Sequence, residues 1–356
     1  MRALRPLVVF GLASLLFATS AQAAYDPLAS GQAKLTLDPS LRSLLKQSQI
    51  KLSGRKGARV AGQRTATLPV SGGEADPTIE KGSWELGGEL VLQAKRKAVP
   101  LTFLTINAKP TPLYAKVGGG QQKVAKAKTR SFIREGFGYG YEAKGLKLSQ
   151  KTATRLDKRL DTEAFQANQP LGSIRVASQP QTVTVLAQNR ATLAFAPAFV
   201  SKLSSLFVSL NPVFPAEHQG PTFTFPIIAA SAIAPDASQG TIRTGGEVEL
   251  LQLGAGQVFW REQWLSPGEG VDLAEANLQP SPPFAGKLAQ APLFSLSLAG
   301  AQVVSDPTAR TVGISNASLA LQAATAAQLN QLFAQGKAVF AAGEAVGAVS
   351  VTAQGQ

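Results

Sequence analysis

The chain has 356 residues, 44% of them hydrophobic, with 35 Lys and Arg against 22 Asp and Glu and a formal net charge of +13. That length exceeds one ordinary core and fits two units of roughly 150 residues once a leader is removed. Cysteine is absent and there is a single His and a single Met, which excludes disulfides and thiol nucleophiles and leaves little for transition-metal or imidazole chemistry.

The leader comes first. Arg2 and Arg5 form a short positive region, Leu7 to Phe17 an apolar stretch, and Ala21-Gln22-Ala23 a small-x-small cleavage site, which predicts a signal peptide over residues 1–23. The apolar stretch is too short for a stable bilayer anchor. With no later run of that kind, the mature chain is expected to be secreted or at the cell surface, without a transmembrane segment.

Beyond the leader the sequence repeats itself. Ala33 to Pro39 (AKLTLDP) faces Ala191 to Pro197 (ATLAFAP), Pro69 faces Pro226, and GSWELGGELVL from Gly82 faces GTIRTGGEVEL from Gly240. Further on, Leu146 to Leu160 faces Leu319 to Gln331, and Phe165 faces Phe340, the spacing drifting only from 157 to 175 residues. This is the mark of one duplicated unit rather than a short-period solenoid. The expected boundaries are 30–180 and 181–356.

Each copy reads alike. Gly- and Pro-bounded alternation, as in Leu101 to Ile106 and Thr222 to Phe225, predicts strands with one buried face. Asp38-Pro39 caps a predicted helix through LRSLLKQ, and Ser149 caps a second in which Ala153, Leu156 and Leu160 share one face. FAPAFVSKLSS and ATAAQLNQLF hold the matching places in the second half. Gly87-Gly88 and Gly245-Gly246, between short alternating runs, predict tight hairpins. The expected fold is mainly β, two tandem antiparallel β-sandwich-like domains with about two short helices each.

Charge separates the copies. Residues 1–180 carry 28 Lys and Arg against 12 Asp and Glu, and residues 181–356 carry 7 against 10. An anionic partner that meets only the first half is one reading; basic loops forming a solvated surface is the other. The candidate contacts are Lys95, Arg96 and Lys97 in one cluster and Lys123, Lys126, Lys128 and Arg130 in another, with Arg134 and the Arg55, Lys56, Arg59 group besides. Nucleic acid fits the charge but not the export signal.

Ligand-facing candidates are few. In GFGYGYEAK, alternation puts Tyr139 and Tyr141 on one face, as a platform for a flat or sugar-like ligand, as a displaced tyrosinate for haem, or as two half-buried strand residues. Tyr114 in PLYAKV reads as a strand residue with a possible ligand contact, and His218 in PAEHQGP as an exposed loop residue that is also the one imidazole available to iron. The G-x-G-x-G spacing lacks the strand-then-helix context of a dinucleotide site. No nucleophile motif accompanies His218, so no enzyme is expected and no cofactor or metal is required.

One resemblance gathers these elements. Pro69, Asp76-Pro77, Gly82 to Gly88, Leu101-Thr102-Phe103, the helix from Ser149 to Leu160, Phe165 to Gly172 and Val176-Ala177 stand in an order that resembles the HtaA domain family, most closely in the first copy. The resemblance implies a β-rich domain of exported or cell-surface proteins of Gram-positive, especially actinobacterial, type. It also implies haem binding and uptake in some members, where a Tyr near the start of the domain ligates iron and a His further on supports it. In this sequence neither LDPSLRSLLKQ nor FAPAFVSKLSS contains Tyr, and Glu89 and Glu247 follow the glycine pairs. The expectation is therefore a binding protein for haem or a related ligand; the alternative is a structural or adhesive wall protein whose basic first domain binds anionic cell-wall polymers.

Overall fold

The computed structural model describes residues 25–76, 78–108, 112–187, 189–254, 256–280 and 290–356. The leader read over residues 1–23 lies outside them. The protein is mainly β, and its strands fall into two large antiparallel sheets.

The first sheet begins with β1 (Asp26–Leu37), followed by helix α1 (Pro39–Gln47), β2 (Ile50–Arg55), β3 (Arg59–Ala61) and β4 (Thr65–Asp76). It continues through β5 (Lys81–Leu86), β6 (Glu89–Ala94), β7 (Lys97–Asn107), β8 (Pro112–Val117) and β9 (Gly120–Lys126). It ends with β10 (Thr129–Glu135), β11 (Gly138–Leu148), helix α2 (Gln150–Leu160) and β12 (Pro170–Pro180). Pairing runs β7-β5-β4-β1-β12-β11-β9-β8 and returns from β8 to β7, so the strands close a ring, where the sequence suggested two facing sheets. A ring leaves fewer edges to protect. Outside it, β6 pairs with β7 and carries β2, β3 pairs with β4, and β10 pairs with β11.

The second sheet opens with β13 (Val183–Thr184), β14 (Arg190–Phe195), helix α3 (Pro197–Ser205), β15 (Val208–Val213), β16 (Glu217–Gln219) and β17 (Thr222–Pro226). Next come β18 (Ala232–Ile233), β19 (Gly240–Arg243), β20 (Glu247–Gln252), β21 (Gly256–Ser266) and, after a 3-10 turn at Pro267–Glu269, β22 (Val271–Pro280). β23 (Gln290–Ser297), β24 (Gln302–Asp306), β25 (Thr311–Leu321), helix α4 (Ala323–Phe333) and β26 (Ala345–Gln354) complete it. Its order β21-β22-β23-β25-β26-β14-β17 repeats that of the first ring. A bridge between Ile227 and Thr244 joins the end of β17 to the end of β19, and β19 pairs back onto β21.

Local chemistry explains the helices. Asp38 accepts from the Ser40 N–H at 2.8 Å ahead of Pro39, which needs no partner at the first helical position. Ser149 accepts from the Thr152 N–H at 3.2 Å. Leu41 and Leu45 of α1 and Leu156 and Leu160 of α2 then plug the first ring, each burial contributing about 1.5–3 kcal/mol. Inside lies a wholly apolar cavity of about 80 Å³, lined among others by Leu37, Leu45, Leu92, Leu104, Leu113 and Leu148. Phe199, Leu203, Leu329 and Phe333 play the helices' part in a separate second core.

The repeated glycine pair is not a hairpin. β5 and β6 run in the same direction along one edge of β7, Leu86 opposite Leu104 and Leu90 opposite Leu101. Gly87-Gly88 joins them where the chain's other edge changes partner from β4 to β2. Gly88 has φ +88°, and a Cβ there would lie 2.7 Å from the Ala58 nitrogen; at Gly246, φ +94°, it would lie 2.5 Å from that of Ala216. The glycines permit this close crossing of backbones.

Candidate functional site

One end of the first ring, where β9 and β10 part, carries a largely buried polar and aromatic cluster that forms its mouth. β9 touches β11 only through Lys147–Lys126 and Leu148–Ala125, after which β11 pairs with β10 instead. That divergence puts Arg130, Phe132 and Arg134 of β10 opposite Ala143, Tyr141 and Tyr139 of β11. Both tyrosines are buried and belong to the core cluster.

The two hydroxyls meet different environments. Tyr139 donates to Oδ2 of Asp26, whose Oδ1 accepts from the Thr184 N–H and hydroxyl, both at 2.8 Å. Tyr139 is thus part of a strut between the first ring and the start of the second. Burial, then the Asp26 charge and hydrogen bond, hold its phenol well above the ordinary range. Tyr141 stacks on Trp84 with centroids 4.9 Å apart, and its buried hydroxyl has no hydrogen-bond partner. Burial pushes it up to about 12, with Arg130 pulling the other way.

Residues not singled out from the sequence complete the mouth. Trp84 donates from Nε1 to Ser178 Oγ at 2.9 Å, and that hydroxyl donates to the Tyr139 carbonyl at 3.1 Å. Phe132 lies 5.8 Å from the Trp84 ring and 6.1 Å from that of Tyr139. Arg134 sits over Tyr139 at 5.3 Å with a buried Nη2 that has no partner, and burial draws its guanidinium below the usual value. Arg130 donates from Nη1 to the Ala108 carbonyl across the gap to β7. Asp76, fully buried, accepts from the Thr78 N–H and hydroxyl through Oδ1 and leaves Oδ2 bare.

Matching positions in the second ring are aliphatic. Tyr141 faces Val176, which faces Ala33; there Ile314 faces Val351, which faces Ala191. By the same register Val312 stands for Tyr139, Val303 for Phe132 and Ile242 for Trp84. The strand order is therefore built equally well without the polar mouth.

The other candidates are dispersed. Tyr114 is half-buried on β8 between Thr105 and Lys123. His218 is exposed in the short strand β16 rather than in a loop, 5.4 Å from the Phe223 ring. Lys95 and Arg96 form the exposed β6–β7 turn, and Lys97 pairs with Asp161 at 3.2 Å. Lys123, Lys126 and Lys128 run along β9 and beyond it, with Lys126 directly opposite Lys147 and the Lys128 N–H bonded to the Lys144 carbonyl. Arg130 turns away from these lysines toward the mouth. Among the described residues no group of three His, Asp or Glu side chains is placed to hold a metal, and no helix is long and apolar enough to cross a membrane.

No protein-family model and no curated protein matches the chain. Among solved structures, the C-terminal domain of HtaA from Corynebacterium glutamicum is similar at 13% identity and a TM-score of 0.36, covering 44% of this chain and 98% of that one. The N-terminal domain of the same protein is similar at 16% identity and a TM-score of 0.36, covering 48% and 98%.

Proposed function

We propose that this is an exported, non-enzymatic binding protein made of two tandem HtaA-like units, and that the first unit takes a planar aromatic acid, haem or a relative of it, at its mouth. One observation carries the reading. The Tyr141 hydroxyl is buried without a partner on an aromatic floor beside the Arg130 guanidinium, while the same position in the second ring is Ile314. A buried donor without an acceptor is destabilising, about 1–3 kcal/mol, and a ligand carboxylate supplies the acceptor.

The residues do not fit iron ligation in the manner the resemblance implies. At the start of the unit, Leu41 and Leu45 face the apolar cavity where a tyrosine would be needed. At the mouth, burial raises the Tyr141 hydroxyl and favours its neutral, hydrogen-bond-donating form over a tyrosinate. The ligand is accordingly held by its carboxylates, its ring against Trp84 and Phe132.

Titrating the full chain with haemin and with metal-free protoporphyrin tests this. Comparable saturable absorbance shifts are expected for both, weakened about tenfold by Tyr141→Phe, the worth of one hydrogen bond to a charged group. Binding that requires iron, or that ignores Tyr141, refutes the reading. The directly opposed Lys126 and Lys147 favour a second one, an anionic wall polymer along β9 and β11, since like charges opposite each other are destabilising until neutralised. That binding would fall steeply with salt.

A further inference from the structure

A second basic site lies away from the mouth. α1, the start of β2 and the β3–β4 turn enclose a groove of about 800 Å³ whose lining includes Arg42, Lys46, Lys51 and Arg64 and no acidic side chain. The nearby Asp38 carboxylate is engaged by Ser40. None of the four cations makes an ion pair with a described residue, and Nε of Arg42 is buried without a hydrogen-bond partner. Gln63, also in the wall, has its amide committed to both backbone groups of Leu52, at 2.9 and 2.6 Å, which fixes the turn carrying Arg64 against β2.

The second ring supplies an internal control. α3 matches α1 residue for residue from its first-turn proline, so Val200 stands for Arg42 and Ser204 for Lys46. Ser209 holds the place of Lys51 as the second residue of β15. The Leu37 N–H bonds to the Arg64 carbonyl at 2.8 Å and the Phe195 N–H to the Pro221 carbonyl at 3.0 Å, so Pro221 stands for Arg64. The same arrangement of helix, strand and turn is thus made without a single one of these charges, and the fold does not explain them.

From this we infer that the α1 groove of the first ring is a binding site for the phosphate groups of a linear polyanion. Four cations around one concavity, unrelieved by any acid, repel one another until a multivalent anion enters. Each phosphate along such a chain carries one charge on two free oxygens, and a terminal one up to two on three, so successive phosphates take both arginine forks and the ammoniums together. The site is independent of the mouth and shares no residue with it.

Calorimetric titration of the full chain with tripolyphosphate, inorganic phosphate and poly-glutamate at low salt is the test. Tripolyphosphate should bind saturably with one site and more tightly than inorganic phosphate or poly-glutamate. Arg42→Gln with Arg64→Gln should weaken it at least tenfold, while Lys151→Gln with Lys158→Gln, the same charge change on the exposed face of α2, should leave it within about twofold. If the double arginine variant does not fold, Arg64→Gln alone, an exposed position, gives the comparison. Equal losses in both variants would show general attraction to a basic surface and overturn the site, as would absent saturation; equal or tighter poly-glutamate binding would overturn the assignment to phosphate.

Discussion

Removing one oxygen from Tyr139 and from Tyr141, two residues apart on β11, should change stability in opposite directions. Tyr139→Phe takes away the donor to Oδ2 of Asp26, a carboxylate only 1% exposed that cannot recruit water in its place. A hydrogen bond to a charged group contributes about 1.5–3 kcal/mol, so a loss of roughly 2–3 kcal/mol is expected. Tyr141→Phe removes a buried hydroxyl that bonds to nothing and keeps the stacking on Trp84. Relief of that desolvation should stabilise the ligand-free protein by about 1 kcal/mol. Urea unfolding followed by tryptophan emission and near-ultraviolet circular dichroism, compared at constant slope, reads both. If Tyr141→Phe destabilises as much as Tyr139→Phe, its hydroxyl has a partner in the free protein, and the argument for a ligand carboxylate at the mouth collapses.

Two further expectations concern the rest of the molecule. Asp272 points into the second ring beside Leu265 and Phe294, both oxygens bare, and burial lifts its carboxyl well above the ordinary range. Because the unfolded chain ionises first, stability should fall as pH rises from the normal carboxylate pKa toward the raised one; Asp272→Leu, matching Leu113 of the first ring, should flatten that profile in melts across pH 4 to about 8. Gly88→Ala forces a side chain to within 2.7 Å of the Ala58 nitrogen at φ +88°. A loss of at least about 2 kcal/mol should follow, visible as a lower melting temperature, whereas Gly119→Ala, with open space around it, should lose about 1 kcal/mol or less.

What the sequence disclosed was local. Asp38 and Ser149 announce their helices because a cap acts within three residues, and alternation alone places Tyr139 and Tyr141 on one face. The glycine pairs were misread because a hairpin and a strand that changes partner leave the same short trace; only the pairing of β5 and β6 with one neighbour tells them apart. Trp84 and Ser178 meet across 94 residues, and nothing in KGSWEL points to VASQP. The charge excess was plain, but Arg42 and Lys46 on α1, Lys51 on β2 and Arg64 in the β3–β4 turn converge only when α1 folds against β2 and that turn. Arg130 lies in the sequence's densest basic run and yet serves the mouth, because β10 peels away from β9.

The β10–β11 turn reaches across to the other ring. Phe137, at its tip, is packed into the second core, not the first, with Gly136 against Pro307. Withdrawing a buried phenyl ring from such a place costs about 3–5 kcal/mol, and the Asp26 strut to Thr184 resists the same displacement. Severing the chain near residue 180 would therefore strip the hairpin of its anchor as well as removing a neighbour, so a fragment's failure to bind would speak to lost support and not to a missing site. By the same linkage, a molecule entering beside Tyr141, as proposed, would pull on a lever whose far arm lies in the second core, which would give that half a mechanical part in binding without any ligand of its own.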